Sequence, residues 1–191
     1  MHMSGSRQLP ASKAVVWEKL NDVETLKRCI PGCETLEKTS DTSFKATSAL
    51  KIGPMSVRFS GDVALKNLDP PNSYRIEGSG KGGPAGFASG GADVRLEPSE
   101  GGTLLTYDVD ATVGGKIAQL GSRLIDATAA SMAGQFFDKF AAEVAAAADG
   151  SPAATMPVPV PARPAAGAGV PIWAWVAGGL VLIALVYYLA R

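Results

Sequence analysis

The chain has 191 residues, with 18 lysines and arginines, 18 aspartates and glutamates, one histidine and two cysteines. No run of basic residues occurs, which argues against nucleic-acid binding because that binding needs a concentrated positive surface. Cys29 and Cys33 are too few for a disulfide framework, and the single histidine, His2, lies at an end that we expect to fray; the composition predicts two reduced thiols and no metal site.

The N-terminal third is predicted to contain a strand and two short helices. The first ten residues, MHMSGSRQLP, lack the basic-then-apolar layout of a signal peptide, so we expect the main domain to stay in the cytoplasm. Ser12 is placed to cap a helix that runs to about Leu20. A second helical turn is predicted over 22–28, ending before Pro31-Gly32.

Five segments of alternating apolar and polar residues follow. Each predicts a half-buried antiparallel strand. They span residues 43–52, 55–67, 73–81, 89–97 and 103–113, and turn signals rich in glycine and proline separate them. Consecutive strands joined by short turns predict a meandering antiparallel sheet.

A long amphipathic helix is predicted over residues 116–148. Its apolar residues recur at steps of three and four, which places them on one helix face: Ile117, Leu120, Leu124, Met132, Phe136, Phe140 and Val144. The simplest packing lays this helix across the apolar face of the sheet. The predicted fold class is therefore α+β, with a curved antiparallel sheet wrapped on a long C-terminal helix.

The inward face of the predicted sheet is unusually small. Its small residues are Ala46, Ser48, Gly61, Gly78, Gly80, Gly90, Ala92 and Ala111. Two explanations are open: the glycines bend the sheet, or a space remains between sheet and helix. We favour the cavity, with Phe59, Tyr107, Leu120, Leu124, Met132 and Phe136 as its other walls. An apolar lining of this kind suits a hydrophobic ligand.

One motif resembles a nucleotide site, but its context does not. Residues 78–83 read G-x-G-x-x-G, yet a strand follows where a dinucleotide site needs a helix. We interpret this segment as a flexible hairpin loop, with Phe87 as an apolar plug at the mouth of the cavity. Asp108 and Asp110 are predicted to face outward, and no interior histidine could serve as a base. The sequence therefore predicts no catalytic residues.

The composition changes sharply after the predicted domain, residues 1–149. Residues 150–170 are rich in proline and alanine and predict an extended linker. At about 3 Å per residue, such a linker reaches roughly 60 Å.

Residues 171–190 carry no charge and predict a transmembrane helix. About 20 apolar residues match the ~30 Å hydrocarbon core of a bilayer. Trp173 and Trp175 lie near one end and Tyr187 and Tyr188 near the other, where aromatic rings favour the headgroup zones. A buried core helix is the alternative, but the stretch has no polar face. We expect a single-pass C-terminal anchor in the inner (cytoplasmic) membrane, with the main domain in the cytoplasm.

Three segments resemble the CoxG family of carbon monoxide dehydrogenase subunits, within the START/Bet v 1-like superfamily. They are IPGCE at 30–34, KGGPAGF at 81–87 and VGGKIAQLG at 113–121, and Phe136-Phe137 with Phe140 adds to the likeness. The resemblance covers residues 3–148. It implies a helix-grip fold over a hydrophobic cavity. It also implies an accessory role beside a molybdenum-containing carbon monoxide dehydrogenase or related hydroxylase, including membrane attachment and quinone carriage.

The resemblance supplies no catalytic set, because the molybdenum, iron–sulfur and flavin sites of these enzymes belong to other subunits. Our leading hypothesis is a tail-anchored, non-enzymatic carrier that binds a quinone or similar lipid and no covalent cofactor, with Phe87 gating the cavity. A docking adaptor without ligand is the second hypothesis. The third is a polyketide cyclase-like enzyme in the same fold.

Overall fold

The computed structural model describes residues 1–149, which form a seven-stranded antiparallel sheet and three α-helices. The strands are β1 (His2–Leu9), β2 (Cys33–Ser40), β3 (Ser43–Ile52), β4 (Met55–Asp69), β5 (Ser73–Lys81), β6 (Phe87–Ser99) and β7 (Gly102–Gly114). The helices are α1 (Lys13–Leu20), α2 (Val23–Cys29) and α3 (Ser122–Asp149), and 3-10 turns occupy Gly83–Ala85 and Lys116–Leu120. The predicted α+β class and the five predicted strands are confirmed.

The sheet is a meander from β2 to β7, with β1 added beside β7, so that β1 and β2 are its two edges. Residues from His2, opposite Asp110, to Leu9, opposite Thr103, pair with β7. The N-terminus is therefore not frayed, contrary to our expectation. Its residues alternate too weakly in hydropathy to show this pairing in the sequence.

Strand β2 is not predicted by the sequence pattern. Leu36 is the buried residue of this strand, and most of the others are exposed. An edge strand that buries so little shows no apolar alternation, so the period-two signal is absent.

The helical starts differ in their capping. Asp22 precedes α2 and its carboxylate accepts a hydrogen bond from the Thr25 amide at 3.0 Å, which satisfies a free donor of the first turn. This bonding to Thr25 holds the pKa of Asp22 below its ordinary value. Ser12 occupies the predicted position before α1, but its side chain makes no capping hydrogen bond with any described residue.

The long helix begins later than predicted. Residues 116–120 form a 3-10 turn between Gly115, at φ +84°, and Gly121, at φ +88°, and α3 starts at Ser122. Both glycines adopt left-handed backbone that continues no right-handed helix. The apolar spacing of 116–148 concealed this interruption because it runs across both segments.

The hydrophobic core lies between the sheet, α1, α2 and the C-terminal half of α3. Its most deeply buried large side chains include Leu9, Val16, Leu105, Phe140 and Val144. Arg28 of α2 ties α3 from outside through two hydrogen bonds to Glu143, of 2.9 and 2.7 Å.

No helix within residues 1–149 is long and apolar enough to cross a membrane. The predicted linker and transmembrane helix, residues 150–170 and 171–190, lie outside the described residues. Those two assignments stay predictions.

Candidate functional site

A cavity of about 290 Å³ lies between the sheet and the N-terminal half of α3. It is lined from the sheet by Leu50, Ile52, Phe59, Gly80, Ala88, Ala111 and Val113, from the helical side by Ile117, Ile125, Thr128, Ala129 and Met132, and by Met1. Among the described residues that line it there is no ionisable side chain. The hydroxyl of Thr128 donates to the Leu124 carbonyl at 2.8 Å and so needs no partner in the cavity.

The cavity continues onto the inner face of the sheet as a second hollow of about 380 Å³. The two share Leu50, Phe59, Gly80, Ala88 and Ala111. All eight small residues predicted for the inward face line this hollow. Strand register explains the grouping, because Val63, Gly78, Gly90 and Ala111 are paired in one line across β4 to β7.

The inward glycines have two separate roles. A Cβ atom on Gly61 would collide with the Ser79 carbonyl oxygen, and one on Gly90 would collide with that of Asp110. These two glycines permit close approach of backbone. A Cβ on Gly80 would meet its nearest neighbour, Phe59, at 3.8 Å, and one on Gly78 would meet atoms only at 3.5 Å. Gly78 and Gly80 therefore leave space that a larger side chain would fill.

The C-terminal half of α3 is packed tightly by aromatic rings. Tyr107 stacks on Phe137, with ring centroids 5.1 Å apart, and Phe136 stacks on Phe140 at 5.6 Å. Phe136 and Phe137 meet edge to face at 5.2 Å. Tyr107 and Phe136 are thus part of the core cluster rather than of the cavity lining.

Of the seven predicted site residues, Phe59 and Met132 line the cavity. Leu124 packs beside the β3–β4 turn instead, because a Cβ on Gly53 would lie 2.7 Å from its Cδ2. Leu120 is half-buried at the end of the second 3-10 turn. The break at Gly121 resets the helical phase, which places Ile125 over the cavity and turns Leu124 aside.

Phe87 lies on the opposite face of the sheet. It pairs with Gly114, and a Cβ on Gly114 would collide with the Phe87 ring, so the ring covers Gly114. Its neighbour Ala88 lines the cavity, and successive strand residues point to opposite faces. The structure therefore does not place Phe87 as a plug in the cavity. It is 48% exposed at the start of β6. The hairpin loop is also shorter than predicted, because β5 extends to Lys81.

Several cavity residues are absent from the predicted site, namely Leu50, Ile52, Ala88, Val113, Ile117, Ile125, Thr128 and Ala129. The strand members share the inward parity of the small residues, so the alternation could have identified them. The helix members could not be identified without knowing that α3 begins at Ser122.

The thiols and the exposed ionisable groups lie apart from the cavity. Both cysteines are free, and burial raises the pKa of the Cys29 and Cys33 thiols. As predicted, Asp108 and Asp110 are on the outer face, where Nδ1 of His2 lies 3.6 and 3.1 Å from their carboxylate oxygens. All three residues are exposed, and such a group is common on surfaces without a bound ion.

A more open hollow of about 860 Å³ is lined partly by charged residues of the outer face. Arg75 in this hollow is hydrogen-bonded to Glu77 at 3.2 Å and to Asp93 at 2.6 Å. Its polar, solvated lining does not suit an apolar ligand, whereas the smaller cavity under α3 does.

Solved structures share this architecture. A conserved protein from Geobacillus kaustophilus is 32% identical, with a TM-score of 0.73 over 77% of this chain and 97% of its own. A protein from Rhizobium leguminosarum is 16% identical, with a TM-score of 0.59 over 76% of this chain and 95% of its own. The Zhui aromatase/cyclase from a Streptomyces species is also 16% identical, with a TM-score of 0.53 over 76% of this chain and 93% of its own. The last two show the fold alone.

A search among curated proteins returned no match. The family model for CoxG, a carbon monoxide dehydrogenase subunit, matches residues 5–145, which include all or most of every described strand and most of α3. The resemblance carried by the three short segments is thus confirmed along the whole domain. The chain belongs to the CoxG family of carbon monoxide dehydrogenase subunits, and its domain has the helix-grip fold of the START/Bet v 1-like superfamily.

Proposed function

We propose that this protein is a non-enzymatic carrier that holds a hydrophobic molecule, a quinone or similar lipid, in the cavity under α3. We further propose that it serves a molybdenum-containing carbon monoxide dehydrogenase or related hydroxylase and links that enzyme to the membrane. The observation that carries the carrier function is the cavity of about 290 Å³ with an apolar lining.

The lining favours an apolar ligand over a polar one. Ligand sites are typically ~300–1,000 Å³ and mostly apolar, with a few polar groups that fix orientation. The two connected hollows have this character, with Ser48 as a polar side chain in the sheet-face portion. Each buried methylene group of a ligand contributes about 0.8 kcal/mol. A charged ligand would lose its hydration without gaining an ionic partner.

The family supports the accessory role. Its members are described as a subunit of carbon monoxide dehydrogenase, so the enzyme's other subunits are the expected partners. The predicted Pro/Ala linker and membrane span, residues 150–170 and 171–190, would keep the domain within reach of both the bilayer and the enzyme. No covalently bound cofactor is part of this proposal.

The test is to identify what the domain retains. Residues 1–149 would be purified from a quinone-containing host, then analysed by native mass spectrometry and by organic extraction. A relative aligned over 97% of its own length with this domain folds without a counterpart of residues 150–191. We expect a quinone or lipid bound at about one molecule per chain. A ligand-free mass that does not change when quinone is added would favour the docking adaptor instead.

A matched pair of variants links the ligand to the cavity. Ala111→Phe fills both hollows and should abolish ligand retention. Thr112→Phe adds the same ring to the other face of β7 and should retain the ligand. Equal retention by both variants would show that the ligand binds elsewhere.

A further inference from the structure

We propose that four basic residues at one end of the domain form a docking surface for an anionic phospholipid bilayer. We call Lys51, Lys81, Lys116 and Arg123 the basic rim; all four are exposed. The inference rests on the proposed function in one respect, that the cavity receives its ligand from a bilayer. The surface itself is argued from charge and position.

Each residue of the basic rim adjoins the cavity in the sequence. Lys51 precedes Ile52, Lys81 follows Gly80, and Lys116 precedes Ile117, and those three neighbours all line the cavity. Because successive strand residues face opposite ways, Lys51 and Lys81 point outward where their neighbours point inward.

Arg123 completes the rim from the first turn of α3. It precedes Leu124, which packs beside the β3–β4 turn next to Lys51, and it lies two residues before Ile125, a cavity residue. The basic rim therefore surrounds the end of the cavity formed by the end of β3, the end of β5 and the second 3-10 turn.

These elements meet at one surface. A shallow hollow there is lined by Met55, Arg58, Pro84 and Lys116, among others, and so joins the start of β4, the first 3-10 turn and the second. Lys81 is paired with Phe87, whose ring is 48% exposed. Basic side chains around an exposed aromatic ring are the composition of an interfacial membrane-binding surface.

Acidic side chains are few at this end. Glu34 is paired with Arg58 at 2.8 Å, and Asp126 lies one turn along α3 from Arg123. Since Arg163 and Arg191 lie beyond residue 149, the described part has 16 basic and 18 acidic residues. The excess of positive charge at the rim is therefore a local feature of a slightly acidic domain.

The charge pattern favours a bilayer over a protein as the occupant. An apolar ligand dissolved in lipid reaches a cavity without crossing water only if the end of the cavity contacts the bilayer. Each Lys or Arg near an anionic surface contributes about 1 kcal/mol, which is about a five-fold change in partition coefficient. Phe87 would add apolar contact at the headgroup level.

The experiment measures flotation of residues 1–149 with vesicles of phosphatidylcholine alone or with about 30% phosphatidylglycerol. We expect binding only to the anionic vesicles, and its loss when salt is raised from about 0.1 to about 0.5 M. Lys116→Gln should lower the partition coefficient about five-fold, and neutralising the whole rim (K51Q/K81Q/K116Q/R123Q) should abolish measurable binding.

Two controls separate the rim from general charge and exposure. Neutralising four exposed lysines elsewhere (K27Q/K38Q/K66Q/K139Q) should cause much less loss than neutralising the rim. Phe87→Ala should weaken binding, while Leu68→Ala, which removes a side chain that is 41% exposed away from the rim, should not. Circular dichroism would confirm that each variant is folded.

Three outcomes would overturn the proposal. They are equal binding to neutral and anionic vesicles, undiminished binding by the rim variant, and no binding to either vesicle. In the last case, rim-dependent capture of a purified molybdenum hydroxylase would identify the surface as a protein interface.

Ligand content distinguishes this inference from the proposed function. A folded domain that retains its ligand but does not bind vesicles refutes the docking surface alone. Vesicle binding by a domain that never retains ligand refutes the carrier function alone. The full chain offers a second measurement: in anionic vesicles, amide exchange at 82–87 and 116–123 should slow, and neutralising the rim should reverse this.

Discussion

Single glycines decide whether space exists inside this domain. The four inward glycines look alike in the sequence, yet a Cβ would collide with backbone at Gly61 and Gly90 and would fit at Gly78 and Gly80. The alternation of the strands predicts which residues point inward. It does not predict how close the neighbouring backbone comes, because that depends on how the sheet curves.

The two kinds of glycine should differ in their effect on stability. Gly80→Ala is expected to change the free energy of unfolding by no more than about 1 kcal/mol, because the new methyl group has room and the unfolded chain loses entropy. Gly61→Ala should cost more than about 2 kcal/mol, because strands β4 and β5 must separate. Urea unfolding of both variants measures the difference. Equal losses would mean that Gly80 is also a close-approach position.

The longest helix performs two tasks along its length. Its first half covers the cavity with Ile125, Ala129 and Met132, and its second half completes the core with Phe140 and Val144. Ligand retention and stability should therefore depend on different halves of α3.

Two substitutions test this division. Phe140→Ala removes a side chain that is 0% exposed and should cost ~3–5 kcal/mol of stability. Ala129→Leu adds volume to the cavity and should lower ligand retention while changing stability by about 1 kcal/mol or less. Thermal unfolding and native mass spectrometry measure the two effects. A large loss of stability in Ala129→Leu would indicate that the cavity is too small to admit a side chain.

The contact between α2 and α3 should depend on pH. The hydrogen bonds from Arg28 hold the pKa of Glu143 below its ordinary value of 4.5. A carboxyl group whose folded pKa is lowered stabilises the protein above its unfolded pKa, and this contribution is lost as the pH falls through the folded pKa.

Glu143→Gln should therefore be less stable than the wild type at neutral pH. The difference should shrink as the pH is lowered below about 4.5, the ordinary pKa of a glutamate. Urea midpoints from neutral pH down to about pH 3 provide the measurement. A difference that stays constant over this range would show that the carboxylate charge plays no part in the contact.

At the scale of the whole molecule, the domain and the predicted anchor should separate cleanly. Deleting residues 171–190 is expected to move the protein from the membrane fraction to the soluble fraction, because ~20 apolar residues match the thickness of a bilayer. The unfolding temperature of the remaining domain should not change. Cell fractionation with an antibody to the domain tests this, and deleting an equal length of the linker, which should leave the chain in the membrane fraction, is the control.

Much of the domain could be predicted from the sequence because its signals are local. Alternation over 43–113 predicted five strands and the inward direction of Ala46, Gly78 and Ala111, and the family segments predicted the helix-grip arrangement. Strand β2 was missed because an edge strand with one buried residue, Leu36, has no period. The membrane span rests on the absence of charge over residues 171–190 and stays a sequence-based prediction.

The sequence by itself determined the inward face of the sheet, the amphipathic character of α3 and the membership of the family, because periodicity and short motifs are written in neighbouring residues. Only the tertiary structure decided which side chains enclose the cavity. The left-handed backbone at Gly115 and Gly121 breaks the helix and turns Leu124 away while bringing in Ile117 and Ile125. Pairing with Gly114 places Phe87 on the outer face. Both results depend on contacts between residues distant in the chain, which no local pattern contains.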